Sequence, residues 1–222
     1  MFFSPEASFT ASAVINTVGI ISFKKSPNTE SKVMACIPIF FGIQQFAEGV
    51  VWLSLLYDQL SFLRHASTSV FILFAWVVWP FWIPYGMEGI ELNKSRKKIL
   101  KWFKYVGLGL SCTLGYALLF RDVQAAILDC SVIYSFNVSD DIHKTFGVFY
   151  LIGIIAPTLI SKANKAWLLG AMNLLAYFGT KIFISDRILS IWYFFAAITS
   201  IIVYWIILDY NKRIQETTYS SE

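Results

Sequence analysis

Apolar residues recur along almost the whole chain, in seven stretches near 6–23, 33–57, 67–91, 103–120, 144–161, 166–184 and 188–208, parted by short polar or charged connections. Each approaches the roughly 20 residues that a helix needs to cross the ~30 Å hydrocarbon layer of a bilayer. Little chain is left over. The pattern therefore predicts an all-α, polytopic integral membrane seven-helix bundle as a single domain over 1–209, followed by a short cytoplasmic tail over 210–222. Local punctuation agrees with this division. Ser4-Pro5-Glu6 reads as N-cap, first-turn proline and first-turn acid, and Ser26-Pro27-Asn28 reads as a turn. The one long connection, 121–143, holds a β-prone run from Asp129 to Phe136, and a strand or hairpin over the mouth of the bundle is expected there.

Composition strengthens the membrane reading. Of the 222 residues 57% are hydrophobic and 14% charged, against about 25% charged in an ordinary soluble domain. An aromatic share of 18% suits rings that settle at the membrane interfaces. The first stretch has no Lys or Arg before it and no small-residue cleavage site, so it is expected to be a retained helix and not a signal peptide. Of the 18 Lys and Arg, thirteen fall in the tail and in the loops after the first, third and fifth stretches. Basic residues stay preferentially on the cytoplasmic side, which predicts the N-terminus outside and the C-terminus cytoplasmic. The run Lys94 to Lys104 fits such an anchor and could also meet anionic headgroups. No basic, aromatic-interleaved surface faces solution, so the bilayer is the expected partner and nucleic acid is not.

Ionisable groups inside apolar helices are costly and usually face the interior of the bundle. The sharpest instance is Gly42-Ile43-Gln44-Gln45-Phe46-Ala47-Glu48-Gly49 in the second stretch. On a helix of about 100° per residue, Gln44, Gln45, Glu48 and Trp52 fall within a stripe of roughly 100°. One reading is a carboxylate with amide partners that binds a cation, a proton or a polar ligand. The other is a protonated Glu48 hydrogen-bonded between helices to fix their packing. Glu6, His65, His143, Lys181 and Asp186 all approach the same predicted outer end, where they could line one pocket. Lys181 is the candidate counter-charge, and Glu6, Glu48, His65 and His143 are the candidate metal ligands. In the third stretch, Trp79-Pro80-Phe81-Trp82-Ile83-Pro84 predicts a kink that frees the carbonyls of Trp76 and Pro80. Glu88, one turn further on, is expected to pair with the Lys94–Lys104 cluster. Cys36 and Cys112 read as packing residues, and Asn137 opens a glycosylation sequon on the outer side.

Required chemistry excludes several heptahelical classes. The last stretch lacks the Schiff-base lysine of a retinal protein, two histidines cannot supply a three-histidine zinc hydrolase, and Gly-x-Ser-x-Gly is absent. Three function classes stay open: a protein that binds or transports a small molecule, cation or lipid at an outward-facing pocket centred on Glu48, a membrane-embedded metal-dependent enzyme, and a structural or assembly protein.

Three segments carry a family resemblance: residues 1–11, beginning Met1-Phe2-Phe3-Ser4-Pro5-Glu6; residues 37–52, containing Gly42-x-Gln44-Gln45-x-x-Glu48-Gly49; and Ser190 to Ala197. They resemble an uncharacterised family of small, mainly bacterial integral membrane proteins, a domain of unknown function. The resemblance implies a heptahelical fold, a bacterial inner membrane and no established activity. Members of that family often carry Cys where this chain has Phe2 and Tyr193.

Overall fold

The computed structural model describes residues 4–121, 123–128, 131–136, 140–183 and 188–219. Among them the chain forms seven helical rods and one hairpin. Helix α1 (Pro5–Lys25) starts as its residues dictate: Ser4 caps it by accepting from the Ala7 amide at 3.2 Å, with Pro5 and Glu6 in the first turn. Helix α2 (Thr29–Leu56) opens on a reciprocal capping box between Asn28 and Ser31. The third rod spans Asp58 to Ile90 in four pieces: a 3-10 turn (Asp58–Leu63), α3 (Arg64–Ile72), a π-helical turn (Leu73–Val78) and α4 (Trp79–Ile90). Then come α5 (Lys94–Phe120), strands β1 (Val123–Leu128) and β2 (Ser131–Phe136), α6 (Asp140–Ile160), α7 (Ala166–Phe183) and α8 (Ile188–Tyr219).

The π turn follows from Pro80. A π-register bond to the Ala75 carbonyl would come from residue 80, and proline has no N–H to give. The Tyr150 hydroxyl of α6 donates to that carbonyl instead, at 2.6 Å. The Pro80 carbonyl faces Gly107 of α5, where any Cβ would collide with it. The proline break expected in the third stretch is therefore filled by protein groups from α5 and α6.

Two features depart from the sequence reading. The hairpin expected in the long connection is present and antiparallel, but its first strand lies upstream of the expected β-prone run, with Ala125 opposite Tyr134 and Leu128 opposite Ser131. Helix α8 also continues through most of the segment expected to be a tail. It does so because its polar end has partners. Tyr210 is buried, its hydroxyl accepts from Asn28 at 3.2 Å, and Asn211 donates to the Lys25 carbonyl at 2.8 Å.

Among the described residues, four helices are long and apolar enough to cross a membrane: α1, α2, the Asp58–Ile90 rod and α5. Shorter apolar runs occupy Phe146–Ile160 and Ala166–Gly179. Helix α2 lies at the centre, packed against α1, α3, α4 and α8. Its apolar window is 56% buried, whereas that of the peripheral α5 is 11% buried. The main core joins Ile15, Met34, Ile37 and Phe41 to Trp79, Met87, Leu169 and Ile206.

Candidate functional site

The second helix buries its polar stripe. Gln44, Gln45, Glu48 and Trp52 are 2%, 2%, 1% and 5% exposed, as the helical spacing requires of one inward-facing strip on a central helix. Glu48 Oε2 accepts from Gln45 Nε2 at 2.8 Å, one turn back on α2, and from Ser8 Oγ of α1 at 3.4 Å. Gln44 Oε1 accepts from the Trp79 indole at 3.3 Å, and that ring stacks on Phe41 with centroids 4.2 Å apart.

Helix α1 supplies the facing surface. Its buried positions Ser8, Ser12, Ile15, Gly19 and Ser22 recur at helical spacing, so small polar residues line the contact with α2. Ser12 donates to the Gly42 carbonyl at 2.7 Å, and Asn16 donates back to the Ser12 carbonyl at 3.0 Å. The absence of a side chain at Gly42 makes room for the Asn16 amide, which a Cβ there would displace. The sequence reading missed Ser8 and Ser12. Their spacing was the available signal, but serine is unremarkable within an apolar helix.

The hairpin closes the stripe from the side. With a period of two, Val132 and Tyr134 turn inward together with Val123 and Ala125. Tyr134 packs between two clusters, one of Ala47, Phe71, Ile72 and Ala75, the other of Val51 and Trp52. Its ring stacks on Phe71, centroids 4.5 Å apart and planes 8° from parallel. Burial raises the pKa of this phenol well above its usual range, and the negative charge of Glu48 raises it further. Among the described residues, three buried polar atoms of this region have no hydrogen-bond partner: Gln45 Oε1, Thr68 Oγ1 and the Tyr134 hydroxyl. Tyr134 and Thr68 were not foreseen in the sequence.

The other candidates are placed differently. Glu6 is exposed, on the face of α1 away from Ser8 and Ser12, and His65 is exposed at the start of α3. The structure brings neither to Glu48. The side chains of His143, Lys181 and Asp186 lie outside the described residues, as does Asn137. Among the described residues, no group of three His, Cys, Asp or Glu is placed to hold a metal ion. Cys36 is half-buried, while Cys112 is exposed on α5 and so is not the packing residue expected.

Two further carboxylates have settled partners. Glu88 forms a salt bridge with Lys104, as expected from the basic run. Glu91, 3% exposed and not singled out from the sequence, accepts from the Asn93 amide at 2.8 Å, Ser161 Oγ at 2.9 Å and the Lys162 amide at 2.7 Å. It ties the end of α4 to the connection between α6 and α7. Deeper in the bundle, a cavity of about 10 Å³, room for about one water, is lined by Phe41, Trp79, Asn173 and Thr199 among others.

A family model described as a family of unknown function (DUF6629) matches residues 1–218. No curated protein matches the chain. No solved structure matches it.

Proposed function

The chain belongs to the family of unknown function DUF6629, and on that premise we propose that it is a multi-pass membrane protein that binds or transports a small ligand, cation or proton at Glu48. In this reading all seven rods cross the bilayer, with the N-terminus outside, the C-terminus in the cytoplasm and the bacterial inner membrane as the setting. Four helices of spanning length and the one-sided distribution of Lys and Arg support it. The hairpin then lies at the outer end and covers the pocket.

One observation carries the functional part: Glu48 is 1% exposed within a helix, beside Gln45 Oε1 and the Tyr134 hydroxyl, two buried polar atoms that have no partner among the described residues. Buried polar groups whose only task is to hold helices together are nearly always saturated, because each one left open costs about 1–3 kcal/mol. A carboxylate in so dry a place also needs a proton or a positive charge to offset its lost hydration. An open polar shell around an acid is the arrangement of a group that exchanges something.

Thermal unfolding of the solubilised protein, with Glu48→Gln beside wild type, tests the reading across a series of pH values and added cations. The wild type is expected to be stabilised by its ligand or to change stability as Glu48 gains or loses its proton, and Glu48→Gln is expected to lose that response while remaining folded. A variant that responds as the wild type does removes the site from Glu48. Equal insensitivity in both, with Glu48→Leu more stable than either, favours a purely structural carboxyl.

A further inference from the structure

Of the four helices of spanning length, α5 is the least buried, with Leu100, Gly107 and Ser111 on its inner side. At about 100° per residue, Lys94, Lys97, Lys98 and Lys101 fall within one arc of roughly 100°, and all four are exposed. Tyr105, Gly109, Cys112 and Tyr116 continue the same face further along the helix and are exposed too. We infer that this face of α5 is a binding surface for an anionic phospholipid, its headgroup against the lysines and an acyl chain along the apolar residues beneath them. The surface requires α5 to cross the membrane and is independent of Glu48.

The protein leaves these four lysines open. The other two cations of the run are engaged inside the fold: Arg96 donates to the Ile160 carbonyl, and Lys104 pairs with Glu88. Glu91, the other acid beside the run, accepts from Asn93, Ser161 and Lys162. Neither acid is left for Lys94, Lys97, Lys98 or Lys101, and among the described residues none of the four has an ion-pair partner. Four cations crowded on one short face without a protein anion attract a negative partner. At an anionic bilayer surface each such residue strengthens attachment about fivefold.

The lower half of the face selects a lipid among negative partners. From Tyr105 to Tyr116 it stays apolar for roughly 16 Å, about the depth of hydrocarbon in one leaflet. Gly109 lies between the two tyrosines, and a Cβ built there would meet nothing within 4 Å, so the face is a shallow trough that no other element covers. A soluble anion would use the lysines and leave the trough empty, whereas a phospholipid matches both halves. A second copy of the chain docked here would set its lysine row beside this one, like charge against like. Trp102, 67% exposed and next to Lys101, marks the headgroup boundary, where indole rings settle.

Native mass spectrometry of the detergent-solubilised protein, incubated with equimolar phosphatidylglycerol and phosphatidylcholine of the same acyl chains, tests the surface. Wild type is expected to retain phosphatidylglycerol in preference. Lys98→Gln combined with Lys101→Gln, both exposed and unbonded side chains, should fold and weaken that preference roughly fivefold for each lysine removed. Lys24→Gln combined with Lys212→Gln removes the same charge from exposed positions on α1 and α8 and should leave the preference as it is. Phosphatidylglycerol with a photoreactive acyl chain should label the stretch from Tyr105 to Tyr116. Equal retention of both lipids by wild type, or an undiminished preference in the Lys98 and Lys101 variant, overturns the surface. Equal loss in the two paired variants also overturns it, since net charge and not this face then selects the lipid. Displacement by an equal concentration of free glycerol phosphate, with no label on α5, overturns the lipid in favour of a soluble phosphate. Protein that stays monodisperse in buffer without detergent overturns the membrane reading of α5 itself.

Discussion

Tyr134 holds its phenolic proton harder in the folded chain than in the unfolded one, because burial and the neighbouring carboxylate both disfavour the phenolate. A group whose pKa is raised by folding contributes its stability in full below its unfolded value, near 10 for tyrosine, and loses it as pH rises beyond. The free energy of unfolding should therefore fall above about pH 10, and Tyr134→Phe should flatten that fall. Denaturant titrations at stepped alkaline pH would show it, and an unchanged slope would mean that the hydroxyl is hydrated. At Trp79 the ring and the indole N–H can be separated. Trp79→Phe keeps a ring against Phe41 but strips Gln44 Oε1 of its indole donor. A loss of roughly 1–3 kcal/mol in the same titrations is expected for leaving a buried acceptor open. The stripe on α2 was legible because period and polarity coincide there: four polar or amphipathic residues share one narrow arc of an apolar helix. Ser8, Thr68 and Tyr134 were not, since what distinguishes them is the neighbour that each meets across the fold. Glu6 and His65 show the reverse limit. A shared end of the bundle says nothing about the direction in which a side chain turns.

At the scale of the element, the third rod is the informative one. Two prolines in an apolar stretch announce a break, yet a sequence does not reveal which groups will fill it. Here the answer is Tyr150 of α6, on the Ala75 carbonyl, and Gly107 of α5, against the Pro80 carbonyl. Pro80→Ala returns an N–H that can serve Ala75, which makes the tyrosine hydroxyl redundant. Tyr150→Phe should cost about 1 kcal/mol in the wild-type background and less than half of that beside Pro80→Ala, the difference being their coupling in a double-mutant cycle. Equal costs in both backgrounds would mean that the hydroxyl does not stand in for the missing amide. Helix α8 extends the lesson. Its polar last turns resemble a tail until the loops that receive them are known: Asp209 pairs with Lys165 at 2.7 Å, and Asn211 reaches Lys25 across the fold.

For the whole molecule, the proposed orientation makes a direct demand. A cysteine introduced at Ser4 should react with a membrane-impermeant thiol reagent in intact cells, and one at Glu216 only after permeabilisation; the opposite pattern would invert the topology. The number of helical rods was legible because each carries its own long run of apolar residues. The hairpin was only half legible, because β1 is short and acquires its meaning from pairing with β2.

The two ends of the bundle are also built to different stiffness. At one, Glu91 rivets α4 to Ser161 and Lys162 by two bonds, Lys165 clasps Asp209, and Asn28 and Lys25 grip α8. At the other, a ribbon of only two strands leans on Phe71, Val51 and Trp52. Two-stranded ribbons are marginal on their own, and segments with few partners open first. The molecule is a spring clip: fixed at the base, it yields at the tip. Amide hydrogens of Val132 to Ser135 should exchange with deuterium well before those of Lys162 to Ala166, and the Glu48 stripe should be wetted from the ribbon end alone.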